Sequence, residues 1–210
     1  MTGRGLFISI EGGEGAGKST VMAALSETLA AGGREVVLTR EPGGTPEGEA
    51  IRCLLLDPDS HLLPETELLL MFASRAQLVR QLVQPALARG AAVVSDRFTD
   101  ASYAYQGGGR GLDTGGFAEL VRWAAGIKPD LTFLLDVGVA EGLARARARG
   151  GVPDRIERER ADFFERVRAT YRARAAAEPG RFRVIDAGQP VDHVRRAVVA
   201  ALSGWLGSAS

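Results

Sequence analysis

Cysteine is almost absent from this chain. Cys53 is the only one in 210 residues, so an internal disulfide is excluded and a thiolate metal cluster has no donor set. Its neighbours Ile51 and Leu54 to Leu56 mark it as a small packed apolar residue. Lysine is nearly as scarce: of 26 Lys and Arg residues, only Lys18 and Lys128 are lysine. Net charge is absent too. The 26 basic residues balance 26 acidic ones, so no bulk charge is available to hold nucleic acid or an anionic membrane surface. No apolar run approaches the roughly 20 residues that cross a bilayer. The first run, Leu6 to Ile10, is too short for a signal peptide and ends in Glu11. The expected compartment is cytoplasmic. There is no internal repeat and no inter-domain linker, so residues 1–210 are expected to form one domain.

What the chain does have begins at Phe7. A short apolar run leads into Gly12-Gly13-Glu14-Gly15-Ala16-Gly17-Lys18-Ser19, which fits G-x-x-x-x-G-K-S/T. Thr20 follows, and a helical pattern opens with Val21, Met22, Leu25 and Leu29 on one face. Strand, glycine loop and helix together form the context a phosphate-binding loop requires. Glycines let backbone N–H groups turn toward phosphate oxygens, and the helix N-terminus adds its positive end. Lys18 is placed to reach β- and γ-phosphates, and Ser19 to hold Mg²⁺. In a chain that otherwise chooses arginine, a lysine here supplies a compact ammonium. The competing reading is a plain glycine turn between a strand and a helix.

Strand-like and helix-like segments alternate along the rest of the chain. Strands are expected at Leu6–Glu11, Glu35–Thr39, Ala91–Ser95, Leu131–Asp136 and Phe182–Asp186. They are short and mostly apolar, as buried parallel strands are. Helices are expected at Lys18–Ala31, Glu47–Leu56, Pro64–Arg89 (bent at Pro85), Asp100–Tyr105, Thr114–Ala125, Val139–Arg149, Glu159–Ala177 and Val191–Leu206. Glycine-rich breaks fall at Gly107–Gly111 and Gly150–Pro153. The pattern gives an α/β fold, an open parallel sheet with helices on both faces. Ligands of such sheets bind beyond the carboxyl ends of the strands.

Three strand ends stand out. After the second strand, Thr39-Arg40-Glu41-Pro42-Gly43-Gly44 is a shaped turn, functional or merely superficial. After the third, Asp96 is placed to orient a Mg²⁺ shell, with Arg97 beside it as a fork for a second phosphate. The alternative is an Asp–Arg pair that caps the strand. Asp136 ends the fourth strand with no arginine after it and reads as structural or as a helix-entry residue. Further on, arginines crowd around Gly150-Gly151-Val152-Pro153, from Arg145 to Arg160. They form either a solvated face or a mobile lid over residues 146–160. The phosphate loop holds no arginine, so phosphoryl transfer needs positive charge from elsewhere, and the lid can supply it.

EGGEGAGKST, TREPGGT, SDRFTDASYAYQGGGRG, KPDLTFLLDV, ARARG with DRIE, and IDAGQP together resemble bacterial thymidylate kinases, of the type whose catalytic arginine lies in the lid. The resemblance runs from about Leu6 to Leu206. It implies a P-loop kinase fold with a five-stranded parallel sheet, ATP-dependent phosphorylation of dTMP to dTDP, ATP and Mg²⁺ at the site, and a homodimer. By the same resemblance, Gly12 to Gly17 with Lys18, Ser19 and Thr20 hold the ATP phosphates. Glu14 faces the dTMP sugar hydroxyl, Arg40 and Glu41 close over the donor–acceptor junction, and Pro42 lies near the base. Arg52 and Arg97 lie near the dTMP phosphate, and Asp96 is linked to Mg²⁺. Arg75, Ser102 and Gln106 hydrogen-bond thymine, and Tyr105 crowds the 2′ position. Arg155, with Arg149 nearby, supplies the lid charge, and Ala187 to Pro190 lies beside adenine. Relatives carry a thymine-stacking phenylalanine four residues before the base-binding arginine. Here that position is Met71 and Phe72 follows it, so either side chain covers the ring. The rival functions are another small-acceptor kinase of the same loop class and a nucleotide switch. A GTP switch lacks support, because the lysine other than Lys18 precedes Pro129 and no N-K-x-D guanine motif exists.

Overall fold

The structure is a computed structural model, and it describes residues 5–150 and 152–208. Five parallel strands form one sheet in the order β2-β3-β1-β4-β5. They are β1 (Phe7–Glu11), β2 (Val36–Arg40), β3 (Ala92–Asp96), β4 (Leu131–Asp136) and β5 (Phe182–Asp186). β1 lies at the centre, with Phe7 opposite Val93 and Ile8 opposite Leu131. Every β1 residue is buried, Ser9 and Glu11 included. Helices cover both faces, which leaves only β2 and β5 as edges.

α1 (Lys18–Ala31) presents Val21, Leu25 and Leu29 to the sheet and ends at Gly32. Together with Val194, Val198 and Leu202 of α9 (Val191–Ser208), they pack on Ile8 and Ile10. On the opposite face, α8 (Ala161–Ala177) buries Phe163, Phe164, Val167 and Tyr171. The N-terminus of α2 (Pro46–Leu56) is capped by Thr45, whose Oγ1 accepts the Gly48 N–H at 3.0 Å.

The long helix expected over Pro64–Arg89 is divided. α3 (Pro64–Leu78) passes into a π-helical turn, Val79–Val83, and then into α4 (Gln84–Ala88). Pro85 has no N–H, and in a regular helix its ring presses on the carbonyl four residues earlier. The wider turn just before it removes that conflict. A similar change occurs past β3. α5 (Thr99–Ser102) widens into a π-helical segment, Tyr103–Gly109, so helical structure runs through glycines expected to break it. Thr114–Gly116, α6 (Phe117–Leu120) and Val121–Ala125 form a further segmented helix. α7 (Val139–Ala148) leads into the expected lid. Its expected hinge includes Gly151, which lies outside the described residues. Cys53 departs from its expected burial and lies exposed on α2, because Leu55 takes the inward position.

Candidate active site

The carboxyl ends of β1 and β3 open into a cavity of about 450 Å³. One side is the phosphate loop from Glu14 to Thr20, and the other includes Met71, Tyr105 and Gln106. Backbone geometry explains why the loop is glycine-rich. Gly12 and Gly15 take φ of 144° and 68°. A Cβ on Gly12 would lie 2.6 Å from the Leu135 carbonyl oxygen, and one on Gly15 only 2.0 Å from that of Gly142. A side chain at either position would therefore force the loop open. Lys18 is buried and donates to the carbonyl oxygens of Gly12 and Gly13 at 3.3 and 3.0 Å. Burial, with the Arg97 charge beside it, holds the ammonium below its usual pKa.

Arg97 follows β3 in the left-handed region, with φ of 72°. A non-glycine residue there is strained. The conformation is fixed by its N–H donating to the Ile10 carbonyl at 2.9 Å and by the Ser95 hydroxyl donating to its carbonyl at 2.7 Å. The strained turn delivers the guanidinium to Glu14 at 2.7 Å and to the Tyr105 hydroxyl at 2.8 Å. Tyr105 in turn donates to Glu14 at 3.0 Å. Burial alone would raise the Glu14 pKa, but Arg97, Lys18 and the Tyr105 hydroxyl bring it down to about 2. Glu14 is thus an ionised acceptor on the cavity floor. Its charge answers two cations, which explains a carboxylate inside a loop built for phosphate.

Asp96 also lines the cavity. Its Oδ1 is buried without a hydrogen-bond partner, and Arg97 Nη1 stands 3.7 Å away. Among the described residues, no three His, Cys, Asp or Glu side chains cluster as metal ligands. A cation here needs oxygens from the nucleotide itself. That suits Mg²⁺, which commonly takes one or two protein ligands beside substrate phosphates.

The structure separates the remaining expected site residues into two groups. Pro42, Arg52, Gln106, Arg149 and Arg155 line the cavity with Glu41. Arg40, Phe72, Arg75 and Ser102 do not. Arg40 turns outward to pair with Glu49. Arg75 is completely buried behind the wall, where Nε donates to Glu41 at 2.8 Å, Nη1 to Ser102 and Nη2 to the Phe98 carbonyl, both at 3.1 Å. The Phe72 ring lies against that guanidinium, 4.6 Å from its centroid. It is Met71 that reaches the cavity. Phe72, Arg75 and Ser102 thus pack together behind the residues that line the cavity. Glu41, Ser102 and the Phe98 carbonyl hold Arg75, and Phe72 packs with Leu68 and Phe117.

The lid arginines also divide. Arg155 is only 11% exposed. It donates to Glu67 at 2.7 Å and to the Leu55 carbonyl at 2.8 Å. It is not the solvated residue that its acidic neighbours Asp154 and Glu159 suggest, and it lines the cavity while paired with Glu67. Arg149, on the last turn leading out of α7, is 61% exposed, and its charge is felt at Glu14. α7 itself lies against the loop through Gly142, whose carbonyl leaves no room for a Cβ on Gly15. Both arginines line the cavity, and Arg149 faces Glu157 at 3.5 Å. Asp136 is structural, as one of its readings had it, held by Arg168 at 2.6 Å.

The family is decided by comparison with known proteins. The family model for thymidylate kinase matches residues 10–198. The chain belongs to the thymidylate kinase family. It is 55% identical to thymidylate kinase of Pseudomonas fluorescens strain SBW25, over 96% of this chain and 97% of that protein. It is 56% identical to thymidylate kinase of Chromohalobacter salexigens, over 97% and 98% respectively. Among solved structures, that of thymidylate kinase from Ehrlichia chaffeensis superposes with a TM-score of 0.78 at 32% identity, covering 95% of this chain and 99% of that one. Within a thymidylate kinase, two more side chains gain interest: Glu67, which the sequence reading passed over, and Arg145, which it placed only in the arginine cluster. Glu67 shares a helical stripe with Met71 and Arg75 at four-residue spacing, a signal that was available. Arg145 lines the cavity and donates to the Ala187 carbonyl at 2.7 Å, joining the start of the lid to the loop after β5.

Proposed function

We infer that this protein transfers the terminal phosphoryl group of ATP to the phosphate of dTMP, giving dTDP. One observation carries the reading beyond family membership: Arg97 and Tyr105 meet Glu14 of the phosphate loop in the cavity that Lys18 and Ser19 also line, so acceptor groups and donor groups share one site. Lys18 exchanges the Gly12 and Gly13 carbonyls for β- and γ-phosphate oxygens. Arg97 grips the acceptor phosphate, and ionised Glu14 accepts the sugar hydroxyl. Tyr105 fills the space that a 2′-hydroxyl needs. Ser19 and Asp96 are the residues that would hold Mg²⁺, which would offset the charge of the donor phosphates. Arg149 closes with the lid onto the group in flight. No general base is required, because an acceptor phosphate oxygen is already ionised at neutral pH. Catalysis is positioning and charge compensation.

Among the described residues no helix is long and apolar enough to cross a membrane, in keeping with a cytoplasmic enzyme. A homodimer is supported by Leu54, Leu69 and Trp123, 45%, 58% and 73% exposed on α2, α3 and the segment beside it. Light scattering tests it, and a monomer at micromolar concentration refutes it. A coupled assay with ATP–Mg²⁺ and a panel of nucleosides and nucleoside monophosphates tests the activity. The expected order is dTMP above dUMP by roughly 10- to 200-fold, the value of one methyl group, with UMP poorer still. Equal use of UMP and dTMP would refute the acceptor assignment, and Tyr105→Ala should narrow the gap between ribo- and deoxy-acceptors.

A further inference from the structure

We propose that Glu67 is a positioning residue which fixes the side-chain amide of Gln106 and thereby makes the acceptor site demand a base bearing an N–H. The proposal rests on dTMP being the acceptor with its base against Gln106. Glu67 is 1% exposed on α3. Its Oε1 accepts from Gln106 Nε2 at 2.7 Å, and its Oε2 from Arg110 Nε at 3.1 Å and Arg155 Nη2 at 2.7 Å. Three partners from two segments leave this carboxylate little freedom to turn. Burial pushes its pKa up, but the Gln106, Arg110 and Arg155 contacts outweigh burial and hold it below the usual value, so the group is a carboxylate.

A carboxylate only accepts hydrogen bonds, so the end of the Gln106 amide that meets it must be the NH₂. The carbonyl end is thereby turned away. Gln106 Oε1 is buried without a partner, and Gln106 lines the cavity. An unpartnered buried acceptor on a binding wall is completed by a ligand donor. Thymine and uracil carry hydrogen on N3 at neutral pH, whereas cytosine presents a lone pair there. A ring of the same shape with the opposite polarity leaves Oε1 facing another acceptor. Sites built around such a bond reject the mismatched analogue by roughly 10⁴-fold. The methyl group plays no part in this discrimination.

The test compares kcat/KM for dTMP, 5-methyl-dCMP and N3-methyl-dTMP in wild type, Glu67→Gln and Glu67→Asp, with melting curves as a check on folding. Glu67→Asp keeps the charge that Arg110 and Arg155 need but withdraws the carboxylate from Gln106. The wild type should reject both analogues by at least about a thousandfold. Each variant should lose at least tenfold of the dTMP preference over 5-methyl-dCMP, because the amide can then turn over. An unchanged preference in folded variants overturns the proposal, as does efficient use of N3-methyl-dTMP by the wild type. Failure of both variants to fold also counts against it, since Glu67 would then be structural. Absence of wild-type activity on dTMP is a separate result and would strike the functional reading itself.

Discussion

Replacing Arg75 by leucine should cost this protein about 3–5 kcal/mol of stability. The figure follows from what the guanidinium leaves behind. Glu41 is 3% exposed, and its Oε1 has no hydrogen-bond partner. Arg75 approaches its other oxygen at 2.6 Å, so without Arg75 the carboxylate is buried and uncompensated. The Ser102 hydroxyl and the Phe98 carbonyl lose their donor as well. For a domain of this size each kcal/mol moves the midpoint by about 2–4 °C, so the variant should melt roughly 6–20 °C lower. The decisive comparison is the double variant Arg75→Leu/Glu41→Leu. Replacing both members of a buried pair strands neither charge and is often nearly neutral. The double variant should therefore recover to within about 2 kcal/mol of wild type, a coupling that a double-mutant cycle measures by chemical denaturation. A loss under about 1 kcal/mol in the single variant would refute the reasoning, and so would a double variant whose loss equals the sum of the two singles.

Three further outcomes are expected. Lys18→Met should fold normally and turn over at least a hundredfold more slowly; steady-state kinetics near the wild-type rate would remove Lys18 from the phosphates. Arg149→Ala should lower kcat by about 10²–10³ with little change in either KM, and Arg155→Ala should affect kcat less. A larger kcat loss for Arg155→Ala in the same assay would reverse that assignment. Glu11 is buried, and burial, with the charge of Asp100 nearby, raises its pKa from 4.5 to about 8 against the Tyr171 hydroxyl and the Phe98 N–H. A raised acid contributes its stability in full below the unfolded pKa and loses it as pH climbs to the folded one. Wild type should thus lose on the order of 4 kcal/mol relative to Glu11→Gln between about pH 4.5 and 8. Denaturation at pH 5 and pH 8 checks it, and a difference independent of pH contradicts it.

Local information determined much of this protein. The strand–loop–helix at Phe7 to Thr20 was legible because the chemistry is written in consecutive residues: an apolar run, glycines where no Cβ fits, and a lysine. The five strands were legible because buried parallel strands are apolar throughout, and their boundaries shifted by a residue or so at β1, β2 and β3. Asp96 and Arg97 stood out because ligands gather at strand ends. Tertiary structure decided what each long polar side chain touches. Arg75 and Ser102 have the sequence of base-binding residues, and only the fold joins Arg75 to Ser102, Glu41 and the Phe98 carbonyl. Met71 and Phe72 are adjacent on one helix, and only the contacts of α3 with Phe117 and Arg75 chose which of them faces the cavity. The sequence put Arg155 first for the lid charge, with Arg149 beside it. Glu67, 88 residues away along the chain, takes one and leaves the other. An arginine side chain spans several bonds and pairs with whichever carboxylate the fold brings near, so its partner is fixed by three-dimensional proximity and not by its neighbours in sequence.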